Sequence, residues 1–201
     1  MKQRILSIAV IVICLSLLAG STLAYFTKEN TAHNVITSSK VDIAIRQESN
    51  DGTVSAGGNG NVAGLRFEYV MPGDEMDNTI SVENIGPEPV WVRISVDKAI
   101  ELAAGMAPEG FTVNPDLVKL NINTEHWTEK DGWFYYLKPL PVGEDTEPLM
   151  RTITIDPSMP NEYQSSVITM TINACGVQTV HNGKTVLEAA GWPEVKEGGG
   201  A

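Results

Sequence analysis

Cysteine is scarce in this sequence, which contains two, Cys14 and Cys175. Cys14 lies in an apolar N-terminal run that is predicted below to be removed, so Cys175 would have no partner within the mature chain. A fold without a disulfide must be held together by packing. A lone thiol could act as a nucleophile or pair between chains. No histidine or basic residue is near Cys175 in sequence, however, which favours a half-buried residue on a strand.

Basic residues are few compared with acidic ones. The 201-residue chain has 14 Lys and Arg against 25 Asp and Glu, a net charge of -11, which becomes about -13 without Lys2 and Arg4. Such a surface repels nucleic acid and anionic lipid, so neither is expected as a partner. It fits a self-repelling monomer or a subunit whose assembly depends on salt or pH.

Recognisable catalytic motifs are missing. The sequence has no His-Glu-x-x-His pair to hold zinc, no Gly-x-Ser-x-Gly elbow, and no glycine loop followed by Lys-Ser or Lys-Thr to cradle a phosphate. The histidines His33, His126 and His181 are far apart. The sequence therefore predicts no catalytic residues, no metal site and no cofactor.

Three groups of residues could still bind a ligand. His126 beside Glu125 could help to ligate a metal, although a structural histidine is the favoured interpretation. The acidic clusters Asp74, Glu75, Asp77 and Glu144, Asp145, Glu147 could bind Ca²⁺, but their spacing fits no calcium loop and favours solvated turns. The aromatic run at residues 133–136 could stack on a sugar, although burial in a core is favoured.

The N-terminal 24 residues have the features of a secretory signal peptide. Lys2 and Arg4 precede an apolar run at residues 5–18, which is shorter than the roughly 18 to 20 residues that span a bilayer. Small residues follow, and Thr22 and Ala24 suit the shallow pockets of a signal peptidase. We expect cleavage between Ala24 and Tyr25, and a secreted product.

Beyond the junction, apolar and polar residues alternate in a series of short segments. Strands are predicted at residues 41–46, 65–70, 79–83, 90–96, 151–155 and 167–177. In the last of these, the residues expected to face the core are Ile168, Met170, Ile172 and Ala174. Several short strands separated by turn residues are typical of a single β-sandwich domain, here residues 25–192, followed by a disordered acidic tail at residues 193–201.

Turn and capping residues predict the connections. Residues 84–87 are expected to close an antiparallel hairpin between the strands at 79–83 and 90–96. A second hairpin from His126 to Tyr136 is expected to turn at Lys130-Asp131-Gly132. Short helices are predicted at residues 98–104 and from Asn114 onward, and the Gly-rich residues 47–64 are predicted to be a mobile loop.

An ordered set of short motifs resembles the TasA/camelysin family of Gram-positive exported proteins. The motifs are residues 20–27 (GSTLAYFT), 34–37 (NVIT), 40–43 (KVDI), 71–74 (MPGD), 82–86 (VENIG), 89–93 (PVWVR), 131–136 (DGWFYY) and 147–149 (EPL). They cover most of the chain. The Gly-rich insertion at residues 50–64 does not belong to this set.

The resemblance implies a jelly-roll-like antiparallel β-sandwich with short helical excursions. It also implies processing by a SipW-type signal peptidase and self-association into extracellular fibres of the biofilm matrix, with other matrix proteins as further partners. In that family the mature N-terminal segment is donated as a strand to a neighbouring subunit. By position, the donor segment here is residues 25–37, including Tyr25, Phe26, Thr27, Val35, Ile36 and Thr37.

Two other functions stay open from the sequence. Camelysin is described as a metallopeptidase, so a cell-surface enzyme is one alternative. A monomeric adhesin or glycan-binding module that uses Trp133 to Tyr136 is the other.

Overall fold

The computed structural model describes residues 41–49, 53–56 and 62–193, with the backbone alone for 53–56. Within these ranges the chain forms ten strands. They are β1 Ile43–Ser49, β2 Thr53–Ala56, β3 Val62–Glu68, β4 Glu75–Asn84, β5 Val90–Glu101, β6 Val118–Ile122, β7 Trp127–Lys130, β8 Trp133–Tyr136, β9 Met150–Ile155 and β10 Val167–Gln178.

The strands form two antiparallel sheets. One has the order β1-β4-β9-β6 and the other the order β2-β3-β10-β5-β8-β7. The prediction of an all-β antiparallel sandwich is confirmed. In the described ranges the helical excursions are three 3-10 turns, Pro115–Leu117, Asn161–Tyr163 and Val186–Glu188. In the first of these the Asn114 side chain accepts a hydrogen bond from the Asp116 backbone N–H, as the capping pattern predicts.

The core fills the space between the two sheets. Strands of both sheets place alternate side chains there, because successive residues of a strand point to opposite faces. The fully buried members include Ile80 and Val82 of β4, Val92 and Ile94 of β5, Ile153 and Ile155 of β9, and Ile168, Met170 and Ile172 of β10. The inward face predicted for the segment at 167–177 is thus confirmed.

The hairpin of β7 and β8 matches its prediction. Trp127 pairs with Tyr136 and Lys130 with Trp133, so the turn is two residues long. Asp131 and Gly132 have φ of 52° and 76°, the left-handed conformation that a type I′ turn requires at both central positions. The Asp-Gly pair explains why this turn could be recognised from sequence.

The hairpin predicted between β4 and β5 is wrong, because the two strands lie in different sheets. The Asn84 side chain is fully buried where the chain crosses from one sheet to the other. Its amide donates to the backbone oxygens of Glu88 at 2.9 Å and Leu140 at 3.1 Å, and its oxygen accepts from the Gly86 N–H at 3.0 Å. These three bonds hold the crossover in place. It carries the chain from one sheet to the other, whereas a hairpin would have joined two neighbouring strands of the same sheet.

The helix predicted at residues 98–104 is also wrong. Strand β5 continues to Glu101, and Lys98 and Ala99 pair with Met170 and Thr169 of β10. The long partner strand supplies ladder hydrogen bonds along this stretch, and tertiary pairing of this kind overrides local helix propensity. Gly105, with φ of 77°, lies in the turn that follows the strand.

The mobile loop predicted over residues 47–64 is contradicted at three places. β1 extends to Ser49, β2 occupies residues 53–56, and β3 begins at Val62. β2 pairs with β3 from Thr53 opposite Arg66 to Ala56 opposite Ala63. Backbone hydrogen bonds form these strands although the sequence offers few apolar side chains. Residues 50–52 and 57–61 lie outside the described part.

Candidate functional site

One edge of strand β5 is paired along its whole length, whereas its other edge is paired over only part of it. β10 pairs with β5 along its whole length, from Val90 to Glu101. On the opposite side, β8 pairs only with Arg93 and Ile94, and Leu140 forms a bridge with Val90. Among the described residues, no strand pairs with this second edge from residue 95 to residue 101. The strand position beside β5 is therefore half filled.

The unpaired edge borders an open groove between the two sheets. The groove has a volume of about 600 Å³, and its apolar lining comes from both sheets: Val96, Val118, Leu120, Ile122, Trp127 and Phe134. Val118 and Trp127 are fully buried, whereas Val96, Leu120, Ile122 and Phe134 are only half-buried although they pack against the core. β6, which among the described strands pairs with β9 alone, forms the other rim. As far as residues 41–49, 53–56 and 62–193 are concerned, the sandwich is thus open along this side.

The opposite side of the sandwich is closed. β1 lies at the far edge of the four-stranded sheet and approaches β10 of the other sheet. Val41 and Ile43 contact the backbone at Gly176, where an added Cβ would lie 2.8 Å from Val41 Cγ1. The absence of a side chain at position 176 lets the chain entering β1 seal this side.

Charged side chains line the open groove at its rim, and one points inward. Lys98 is on the same face of β5 as Val96 and Ile100, and its side chain is 19% exposed. Its ammonium donates to the Val118 backbone oxygen at 2.9 Å and lies 3.7 Å from Asp116 Oδ1. The other two charged lining residues are Lys119 and Glu129, and both are exposed.

Lys119 at the rim is engaged by Asp156, at 3.6 Å. The pKa of Asp156 lies below its usual range, mainly because the Ser158 hydroxyl and backbone N–H donate to its carboxylate, with Lys119 adding to the effect. The carboxylate therefore stays charged at mildly acidic pH. This arrangement fixes the turn after β9 next to the start of β6.

The aromatic arm of β8 buries side chains on both of its faces. Phe134 and Tyr136 pack in the main core, and Tyr136 contacts Trp127 with ring centroids 5.1 Å apart. Trp133 and Tyr135 face outward, where they join a second apolar cluster with Trp91, Val177, Val186 and Trp192. One face of the Trp133 ring is covered by a guanidinium.

That guanidinium belongs to Arg93, which lies 3.9 Å from the Trp133 ring centroid and 4.8 Å from that of Trp192. Arg93 also donates to the Pro193 backbone oxygen at 3.2 Å. Trp192 makes an edge contact with Tyr135, at 5.8 Å. Together these contacts fasten the C-terminal segment of the described chain onto the outer face of the six-stranded sheet.

Cys175 lies on β10 opposite Arg93 and is 4% exposed. Burial raises the pKa of its thiol, and the nearby positive charge of Arg93 opposes this only in part. A protonated, buried thiol is a poor nucleophile. Cys175 is a strand residue as predicted, although it is buried more completely than the sequence indicated.

The other candidate ligands are scattered. His126 Nδ1 lies 3.4 Å from Asn123 Oδ1, and His181 lies in a turn with φ of 57°. Asp74 accepts a hydrogen bond from the Met71 N–H at 2.7 Å, within its own turn. In the part of the chain that the structure describes, no three His, Cys, Asp or Glu side chains are grouped to hold a metal ion.

The residues predicted for processing and strand donation lie outside the described ranges. These are Ala24 and Tyr25 at the cleavage site and the donor residues Phe26, Thr27, Val35, Ile36 and Thr37, together with His33 and the tail from residue 194. The groove was not predicted from sequence. Its signal was present in the alternating residues 118–122, where Val118, Leu120 and Ile122 share a face, and in Lys98, which interrupts the apolar face of β5.

Within residues 41–49, 53–56 and 62–193, no helix is long and apolar enough to span a membrane. No protein-family model, curated protein or solved structure matches this chain.

Proposed function

We propose that this protein is a secreted structural subunit of extracellular biofilm-matrix or surface fibres of a Gram-positive bacterium. Each subunit donates its mature N-terminal strand, residues 25–37, to a neighbouring copy after a SipW-type signal peptidase cleaves between Ala24 and Tyr25. Other matrix proteins are further partners. The proposal rests on the resemblance of the sequence motifs together with the groove beside β5.

The half-filled strand position is the observation that carries the proposal. An exposed strand edge is a ready template for another chain, because its N–H and C=O groups lack partners. A strand added there gains main-chain hydrogen bonds, and its alternate side chains enter the space below. That space is lined by the half-buried apolar residues Val96, Leu120, Ile122 and Phe134. An added strand would complete both the sheet and the core.

The donor segment has the length and composition that the groove requires. Extended at about 3.3 Å per residue, its 13 residues reach roughly 43 Å, whereas the open edge of β5 from residue 95 to residue 101 spans roughly 23 Å. The segment contains Tyr25, Phe26, Val35 and Ile36 as apolar anchors. It precedes β1, which lies on the closed side of the sandwich. Donation to a second copy therefore links the closed side of one subunit to the open side of the next.

The first test deletes the donor. Mature protein beginning at Tyr25 is expected to form filaments in electron micrographs, and a variant that lacks residues 25–37 is expected to stay monomeric. A deletion of residues 194–201 serves as the control and should leave the filaments intact. Filaments that persist without residues 25–37 would refute strand donation.

The second test changes the acceptor. Leu120→Asp puts a charge on the groove floor and should abolish filaments, because a carboxylate in an apolar interface carries a large desolvation cost. Asn121→Asp is the matched control, since its side chain is exposed on the outer face of the same strand. Equal assembly of the two variants, with both folded by circular dichroism, would show that the groove is not the acceptor.

A further inference from the structure

The inward-pointing ammonium of Lys98 is the unusual feature of the groove. The other inward residues of β5 are Val90, Val92, Ile94, Val96 and Ile100, all apolar. A charge on the inner face beside an open edge is a device that hinders unwanted strand pairing, because any strand that docks there must accommodate it. Lys98 thus limits which strands the groove can accept.

The present contacts of Lys98 leave room for a further partner. An ammonium has three donors. One N–H of the Lys98 ammonium donates to the Val118 backbone oxygen. The Asp116 carboxylate lies 3.7 Å from the ammonium nitrogen, and the Asp116 side chain is 86% exposed. Such a solvent-exposed ion pair is worth little, typically 0 to about 1 kcal/mol. When a strand covers the groove and excludes water, a carboxylate on that strand would stabilise the ammonium far better.

The donor segment carries one carboxylate. Between Tyr25 and Thr37 the only acidic residue is Glu29, and its neighbour Lys28 has the opposite charge. In an extended strand Glu29 shares a face with Tyr25 and Val35, whereas Lys28 is on the other face. A slip of one residue would exchange the faces and bring Lys28 towards Lys98. Charge complementarity therefore favours one register.

We propose that Lys98 is the specificity-determining residue of the groove and that it binds Glu29 of the strand donated by a second copy of this chain. This inference rests on the fibre function proposed above. It adds that a neighbour is selected by its charge as well as by its apolar residues, and that the buried pair fixes the register of the donated strand.

Reciprocal charge variants of the full mature chain test the proposal. Glu29→Lys alone and Lys98→Glu alone should each lose filaments, since each places two like charges together. An equimolar mixture of the two should assemble, because each donor then meets an oppositely charged groove. The chain with both substitutions should also assemble by itself. About a tenfold or greater difference in critical concentration between matched and mismatched pairs is expected.

Two further variants separate specificity from folding. Lys98→Met keeps the apolar stem without the charge, and it should assemble equally well with wild-type donors and with Glu29→Lys donors. Lys138→Glu, at an exposed position outside the groove lining, should not change partner selection. The proposal is overturned if the mixture and the double variant fail to assemble while the single variants are folded, or if Lys98→Met still discriminates. In those cases the fibre function survives as long as deletion of residues 25–37 abolishes filaments; if that deletion has no effect, the fibre function fails as well.

Discussion

Val41 occupies the space that a side chain at position 176 would need, with its Cγ1 2.8 Å from the position of a Cβ on Gly176. A contact this short cannot persist, so the Val41 side chain or the backbone that carries one of the two residues must shift when the site is filled. The pair joins the chain that enters the four-stranded sheet to the six-stranded sheet. It thereby closes one side of the sandwich.

Gly176→Ala is expected to destabilise the fold by about 1–3 kcal/mol, the usual cost of an overpacked site. Urea denaturation followed by tryptophan fluorescence measures the change. The double variant Val41→Ala/Gly176→Ala is the informative comparison, because removing the Val41 methyl groups makes room for the new Cβ. The double variant should lose less stability than the two single changes together. Additive losses would show that the two residues do not compete for one space.

Asn84→Ala is expected to lower the free energy of unfolding by about 2–3 kcal/mol. The change leaves the Glu88 oxygen and the Gly86 N–H without their Asn84 partner at a buried crossover, and the Leu140 oxygen keeps the hydrogen bond from the Val90 N–H but loses the one from Asn84. Asn161→Ala is the control, since that side chain is exposed, and it should change stability by less than about 0.5 kcal/mol. Thermal and urea unfolding of both variants check this, and equal effects would contradict the role assigned to Asn84.

Cys175 is expected to resist alkylation in the native state. At pH 8, iodoacetamide should label it far more slowly in the folded protein than in urea, because burial raises the pKa of the thiol and blocks access. Trp192→Ala should accelerate native labelling, since Trp192 stacks on the Arg93 side chain opposite Cys175. Equal labelling of folded and unfolded protein would contradict burial.

The same thiol gives the stability a dependence on pH. A thiol whose pKa is higher in the folded state favours folding below its unfolded pKa of about 8.5, and this contribution is lost as the pH rises through the folded value. The free energy of unfolding should therefore fall more steeply above about pH 8.5 in the wild type than in Cys175→Ala. Parallel curves for the two proteins would show that burial does not perturb the thiol.

The sequence predicted the inward face of β10 and the turn between β7 and β8 well. The alternation at Ile168, Met170 and Ile172 and the turn at Asp131-Gly132 depend on neighbouring residues, so a short window contains the needed signal. The sandwich class follows from the number of such segments. These features can be predicted without knowing which strands are neighbours in the sheets.

Strand partners could not be predicted in the same way. Ile80 and Val92 have the alternation of a hairpin, but nothing in that pattern tells a neighbour in the same sheet from one across the core. The extension of β5 through Lys98 depends on the distant residue Met170. The open groove was missed for the same reason, because it exists only where β8 ends and β5 continues.

β10 is the last of the described strands, and it lies in the middle of the six-stranded sheet, between β3 and β5. Neither β3 nor β5 can form its hydrogen bonds to β10 until residues 167–178 have been synthesised and have joined the sheet. The pairing of Val90 with Gln178 closes a long loop, which makes such contacts slow to form. The chain should therefore fold late and as one cooperative unit. A chain that is unfinished or cut before β10 would lack the centre of this sheet.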